Sequence, residues 1–307
     1  MKHQLQSFLR IAPLLVSAAL LSGCATPTDA GDSGSASVID RVRADKTIKL
    51  GIRTDAPPFS HVAEGRPQGF SVDLCGLVAA SISQIAGIEG MKGTLVSVDT
   101  QERFDALQSG KIDILCGATT ATLGRREIVS FSIPTFSTGV GSVVRADAPK
   151  ALRDAVDPAS GSGKTGGQAL SGRTIAVRAG TTAADWAKQS NFLKPHNVTI
   201  VEVQDHNAGL DQVANGAADV YFADKAIVLG TLRGRSDAQS LALSRTTFTA
   251  EPYALALPRG DEDLRLLVDR ALSVLYRSGG VYDVYRKHFG EPGPDVALFY
   301  QTVALPE

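Results

Sequence analysis

Short apolar runs alternate along this chain with longer stretches of helical spacing, and the alternation predicts an ordered series of strands and helices. Val38 to Lys46 has the spacing of a short leading helix. Thr47 to Arg53 alternates as a strand does and meets Pro57-Pro58, which cannot continue a ladder. Helical spacing returns over Gly69 to Ile85, and Leu95 to Val98 reads as a second strand. Gln101 to Ser109 is an amphipathic helix with Phe104 and Leu107 on one face and Gly110 as its C-cap. Ile112 to Cys116 is then a short buried strand, and Phe136 to Arg145 another strand-like run. The order β-α-β-α-β predicts an α/β lobe built on a largely parallel sheet.

After a stretch rich in Gly and Ser, residues 158–168, the pattern starts again. That stretch holds too little apolar area to bury and reads as a loose surface insertion. Its Gly163-Lys164-Thr165 lacks the strand before and the helix after that a phosphate-binding loop needs. Thr174 to Val177 mirrors Thr47 to Leu50. Leu210 to Val220 mirrors Phe104 to Ile114 at a constant offset of 106, with Asp, Gly and Asp recurring at 105/211, 110/216 and 113/219. Helix, glycine cap and strand therefore occur twice in the same relation, which predicts two similar lobes. Tyr253 to Leu257 reads as a further strand, followed by helices over Leu264 to Ser278 and Val281 to Phe289. Residues 291–307 form a C-terminal extension that the pattern does not assign.

The N-terminus departs from this pattern. Lys2 and Arg10 precede a short apolar run, Ile11 to Leu21, too short to span a bilayer, which reads as an export signal over 1–23. Leu21-Ser22-Gly23-Cys24 resembles a bacterial lipobox, with Cys24 as the lipidated residue; cleavage after Ala25 is the alternative. A lipid would tether the protein without spanning the membrane. Residues 24–37 are small and polar, as a flexible tether would be. Loss of residues 1–23 would leave 29 Lys and Arg of the 31 against 32 acids, so the mature chain is mildly acidic. A chain with no basic excess has no general means of neutralising nucleic-acid phosphates. Cys75 and Cys116 are either a disulfide, favoured in an oxidising compartment, or two buried thiols.

Candidate chemistry gathers at strand ends. Ala118-Thr119-Thr120-Ala121-Thr122-Leu123-Gly124-Arg125 follows the strand at Ile112 with hydroxyls and one arginine, a set suited to gripping a carboxylate. On the 106 register Asp224 falls opposite Ala118, at a strand end and before a helical pattern, where it can cap that helix and also meet an ammonium. Two lobes that face their strand ends across a cleft would thus form a clamp for a zwitterion.

Arg53 to Phe59, Gly69 to Asp73, Asp113 to Arg125, Ala179-Gly180-Thr181-Thr182 and Ser278-Gly279-Gly280-Val281-Tyr282 together resemble the bacterial extracellular solute-binding proteins of family 3, the polar-amino-acid receptors of ABC importers. The resemblance covers about Val38 to Gly290. It implies the two-lobed type II periplasmic-binding-protein fold, α/β with a two-strand hinge. Lobe 1 would hold 38–143 with 253–290, and lobe 2 would hold 144–252. It implies that Arg125 pairs with a ligand α-carboxylate, that Thr120 and Thr182 donate to it, that the Ala118 carbonyl and Asp224 take the ammonium, and that Phe59 forms an aromatic wall. Thr119 and Thr181 flank these positions.

Arg53 lies where glutamate- and aspartate-binding members have an arginine, and Asp205-His206 resembles a pair of that branch. These two would read an acidic side chain; the plainer alternatives are an Arg53 ion pair with Asp55 and a helix-start histidine. The resemblance implies a monomer that delivers its ligand to membrane permease subunits from the periplasm or cell surface, with no cofactor and no metal. Cyclohexadienyl dehydratase is similar in fold and is the enzyme alternative. The chain carries no Gly-x-Ser-x-Gly elbow and no His-Glu-x-x-His, so a binding role is the expectation.

Overall fold

The computed structural model describes residues 37–157, 159 and 167–307. The export signal, Cys24, the tether up to residue 36 and most of the 158–168 insertion lie outside the described residues. Ser37 caps α1 (Val38–Asp45), accepting from the Ile39 N–H, and its hydroxyl donates to Asp261.

Two five-stranded sheets organise the body. In the first the order is β5 (Lys92–Ser97), β1 (Thr47–Ile52), β6 (Ile114–Cys116), β13 (Glu251–Leu257), β7 (Ser130–Thr138). β1 runs parallel to β5 and β6, and β13 antiparallel to β6 and β7. In the second the order is β10 (Thr199–Val203), β9 (Thr174–Arg178), β11 (Val220–Asp224), β8 (Val140–Arg145), β12 (Leu241–Leu243). Its β9 pairs parallel with β10 and β11, while β8 is antiparallel to β11 and β12. The central strands are apolar throughout: Ile114, Leu115 and Cys116 are fully buried, as are Val220, Tyr221 and Phe222. Strands covered by helices on both faces have that composition.

The repeat read at offset 106 is a repeat of structure. Asp113 accepts from the Lys49 N–H at 2.7 Å and returns its own N–H to the Lys49 carbonyl. Asp219 accepts from the Thr174 N–H at 2.9 Å and returns its N–H to the Thr174 carbonyl. Each aspartate also pairs with an arginine, Arg41 and Arg173 respectively. The glycines before them, Gly110 and Gly216, have φ of +67° and +79°, which lets each helix turn into the next strand.

The chain passes between lobes at Gly139, where β7 gives way to β8. The expected boundary at 143 moves to this glycine because β8, from Val140 on, pairs only within the second sheet. A Cβ at Gly139 would lie 1.9 Å from the Thr249 carbonyl oxygen of the returning crossover, so the two crossings touch here. They pair again one step later, Glu251 opposite Thr138.

Some elements escape the periodicity. Asp55–Ala56, Ser60–Ala63 and Arg66–Gln68 form a small antiparallel sheet (β2, β3, β4) around the proline turn. The C-terminal extension contains α12 (Pro294–Val303), which docks on lobe 1: Tyr300 is buried and its hydroxyl donates to the Thr135 carbonyl. Cys75 of α2 (Phe70–Ile85) is bonded to Cys116 at the end of β6, both fully buried. The bridge ties α2 to the strand that launches Ala118–Arg125. Among the described residues no helix is long and apolar enough to cross a membrane.

Candidate functional site

The strand ends of the two sheets face a shared cavity. Ala118, Thr120 and Arg125 line it from lobe 1, and Thr182, His206 and Asp224 from lobe 2. A roomier open groove of about 760 Å³ runs between α2 and β5, bordered by Leu77, Met91 and Leu95. Among the described residues, none of the eight buried polar atoms without a partner belongs to that groove, whereas four of them, on Thr100, Arg103, His206 and Asp224, belong to the cleft. The cleft is therefore the candidate site.

The stretch after β6 is pinned before it reaches the cavity. The Thr119 carbonyl accepts from the Ala254 N–H, Ala121 donates its N–H to the Pro252 carbonyl, and Thr120 bridges to Tyr253. Thr122 then caps the single turn α4 (Leu123–Arg126), and Arg125 donates from Nη1 to the Thr120 carbonyl at 2.9 Å. Thr120 and Arg125 are thus held at one end of the cavity. Opposite them, Thr181 caps α7 (Thr182–Gln189) and donates to the Arg178 carbonyl, so its one hydroxyl proton is used inside the protein. Thr182, the first residue of α7, points its hydroxyl inward at Glu251.

Asp224 ends β11 and caps α9 (Lys225–Leu232), accepting from the Ala226 and Ile227 N–H groups and from the Thr138 hydroxyl through Oδ1. Oδ2 is buried and has no hydrogen-bond partner. Burial pushes this carboxyl up to about 6, against the pull of the Tyr253 hydroxyl and the Ile227 N–H, and nearby Glu251 adds to the rise. An ammonium beside Oδ2 would reverse the penalty.

The other end of the cavity is dominated by guanidiniums. Arg53 is buried; it donates to Asp55 Oδ1 from Nε at 3.2 Å and Nη2 at 3.1 Å, and from Nη1 to the Ala118 carbonyl at 3.4 Å. Arg178, at the end of β9, pairs with the other oxygen of Asp55 from the opposite lobe. One carboxylate thus serves two cations. The Arg53–Asp55 pair, the plainer alternative for Arg53, is formed, with Arg53 buried and Asp55 partly buried.

Arg103, in the first turn of α3 (Arg103–Gln108), is 4% exposed. It donates to the Gly180 carbonyl across the cleft, its Nε has no partner, and its guanidinium lies 4.4 Å from the Phe104 ring centre. Among the described residues no carboxylate forms an ion pair with it; Asp55, the acid nearby, pairs with Arg53 and Arg178. Burial, with Arg125, Arg53 and Arg178 nearby, lowers it to about 8, and burial with Arg53 nearby lowers Arg178 to about 10. Cations pushed down this far mark a place built for an anion.

His206 is buried at the start of α8 (His206–Ala214), with Nδ1 2.8 Å from the Tyr221 hydroxyl and Nε2 without a partner. Burial, Arg53 and Arg178 hold it well below the usual imidazole range, so the ring is neutral. A neutral ring that accepts the tyrosine proton at Nδ1 carries its own proton on Nε2 and offers it to the cavity. Thr100, whose hydroxyl has no partner, lines the same end.

Two expected residues lie elsewhere. Phe59 does not face the cavity. It is fully buried among Phe70, Phe136, Tyr253 and Phe289, with ring centres 4.9 to 6.2 Å away. The loop after the prolines hydrogen-bonds back onto the head of α2, Phe70 N–H to the Pro58 carbonyl, and turns the ring inward. Tyr253 is the aromatic that lines the cavity. Thr119 is likewise buried behind it. Arg103, Arg178, Thr100 and Glu251 were not singled out by sequence. Arg178 ends a strand just before Ala179-Gly180-Thr181, a position the strand-end rule could have flagged; Arg103 reads as one more polar residue of an amphipathic helix.

Two α/β lobes joined by two crossover strands, with polar strand ends converging on one cleft, define a two-lobed solute-binding protein of type II topology. Residues 48–291 match the family model of the bacterial extracellular solute-binding proteins, family 3, and the chain belongs to that family. It is similar to the L-glutamate/L-aspartate-binding protein of Pseudomonas aeruginosa, 27% identical over 94% of this chain and 92% of the relative. The glutamate/aspartate import solute-binding protein of Escherichia coli is 22% identical over 92% of this chain and 89% of the relative. Among solved structures, an ancestral amino-acid-binding protein that is a precursor of cyclohexadienyl dehydratase superposes with a TM-score of 0.68 at 25% identity, covering 83% of this chain and all of that one. Members of the family bind amino acids and deliver them to ABC transporter permeases.

Proposed function

We propose that this protein binds glutamate or aspartate by closing its lobes over the amino acid. Arg125 would hold the α-carboxylate, while Asp224 and the Ala118 carbonyl would take the ammonium. The side-chain carboxylate would sit at the arginine-rich end, among Arg103, Arg53, Thr100 and the Nε2–H of His206. The observation that carries the reading is Arg103, a buried guanidinium with no ion-paired acid among the described residues. A neutral or cationic side chain would leave it uncompensated at a cost of roughly 3–5 kcal/mol, the usual penalty for an unpaired buried charge. The relatives whose names specify glutamate and aspartate agree with this choice.

Closure would bend the two crossover strands at Gly139 and Thr249, and the closed form would dock on a permease. Anchoring at Cys24 fits the same reading, and Cys24→Ala should move the protein from the membrane to the soluble fraction. A thermal-shift screen of the twenty amino acids tests the ligand class, since a ligand raises the melting point by mass action. Glutamate and aspartate should give the largest shifts. A larger shift with arginine or with neutral residues would overturn the assignment.

A further inference from the structure

The helix α9 has two buried faces, and they belong to different lobes. Val228, with Tyr221 and Ala223, is part of the core of lobe 2. Ile227 is part of the core of lobe 1 with Ala56 and Phe59, and Ala226 packs against that core. Gly230 follows Ile227 by three residues and Ala226 by four, so the three share one stripe of the helix. A Cβ at Gly230 would lie 2.5 Å from the Pro57 carbonyl oxygen and 2.6 Å from Pro58 Cδ, both in lobe 1. One turn further on, Arg233 donates from Nη1 to the His288 carbonyl in α11 (Val281–Phe289) at 3.3 Å. Inside a helix only proline is costlier than glycine, and Gly230 has no left-handed backbone angle that would call for it. The demand comes from the other lobe. The stripe meets the proline turn with no room for a methyl group, and the atoms a methyl would strike are backbone and ring atoms that cannot swing aside.

The same helix carries the acid at the cleft. Asp224 caps it through the Ala226 and Ile227 N–H groups, so Asp224 and the stripe move as one body. We propose that Gly230 is a positioning residue for ligand capture: it lets α9 seat on the Pro57-Pro58 turn, and that seating brings Asp224 to an ammonium whose carboxylate Arg125 holds on lobe 1. The inference rests on the amino-acid reading above. Gly230 does not line the cavity, so its effect passes through the separation of the lobes and not through ligand chemistry. A methyl group at this position holds α9 off the turn and lowers the fraction of the protein that can complete the clamp.

Calorimetry and small-angle scattering of Gly230→Ala beside the wild type test this. Affinity for L-glutamate and for L-aspartate should fall by the same factor, about ten- to a hundredfold, the range for forcing one methylene into a packed contact. Saturating L-glutamate should contract the wild type, and contract the variant less. The ligand-free variant should melt no lower than the wild type, because alanine suits a helix interior better than glycine. A merely structural glycine would give the reverse, a lower melting point with affinity unchanged. Unchanged affinity in Gly230→Ala, or a loss of affinity with full contraction, overturns this inference alone. Absence of amino-acid binding by the wild type overturns the proposed function and this inference together.

Discussion

Asp113 and Asp219 stand 106 residues apart and make the same contacts in their two lobes. Ala118 and Asp224, at the same spacing five residues further on, do not. In the first pair each carboxylate takes a strand N–H and an arginine from inside the protein, both on Oδ2 in Asp113 and one on each oxygen in Asp219, and serves the fold. At the second pair one lobe has a methyl group and a strand-end carbonyl that accepts from Arg53, and the other has a buried carboxylate whose Oδ2 takes none of the bonds that cap α9. Equal spacing therefore marks shared architecture, while unequal chemistry at an equal position marks the cleft. The comparison explains why the repeat leads to the site even though it is not itself a repeat of the site.

The sharpest way to break that comparison is at Asp224. Asp224→Ala and Arg125→Ala should each lower amino-acid affinity by about a thousandfold or more, roughly 4 kcal/mol, with the fold intact by circular dichroism; unchanged affinity in calorimetry would remove either residue from the clamp. Replacing both Cys75 and Cys116 by serine should cost about 3–4 kcal/mol in denaturant unfolding, the range for closing a loop of this size.

Asp224→Asn should run the other way for the ligand-free protein. Its carboxyl is raised to about 6 in the fold, so the folded state holds its proton longer than the unfolded chain does, and that stability is lost as pH climbs from about 4 to about 6. Removing the charge should then return up to about 3 kcal/mol at pH 7 while abolishing binding. A melting point that drops instead would show the ionised form to be well solvated. Asp113→Ala should cost about 2–3 kcal/mol and leave ligand affinity unchanged, because its partners are structural. Asp219→Ala, in a more exposed copy of the same contact, should cost only about 1 kcal/mol.

Much of this was legible in the order of residues. The helices α2, α8 and α10 (Glu262–Arg277), the buried strands β6 and β11 and the two-lobe plan follow from periodicity and from the glycine caps. Arg53, Thr120, Arg125, Thr182, His206 and Asp224 line the cavity or reach its edge because they sit at strand and helix ends, where a parallel sheet presents its polar groups. What sequence hid depends on how the lobes meet. Arg103 and Thr100 precede or open a helix whose surface character is changed only by Gly180 arriving from the other lobe. Glu251 gains its meaning from Thr120 and Thr182, which lie 131 and 69 residues away. Phe59 is misread because the turn after Pro58 sets its direction, and a local pattern carries no direction of a loop. The helix α12 opens on Pro294, just after Pro292, and reads as an extension until Tyr300 reaches the Thr135 carbonyl.

The central claim is that the arginine-rich end selects an acidic side chain, and one comparison by calorimetry tests it most directly. Wild-type protein should bind L-glutamate at least about a hundredfold more tightly than L-glutamine, a difference of roughly 3 kcal/mol for pairing a buried guanidinium. In Arg103→Met that ratio should collapse to within a few fold. L-glutamine binding as tightly as L-glutamate in the wild type, or an unchanged ratio in Arg103→Met, would contradict it.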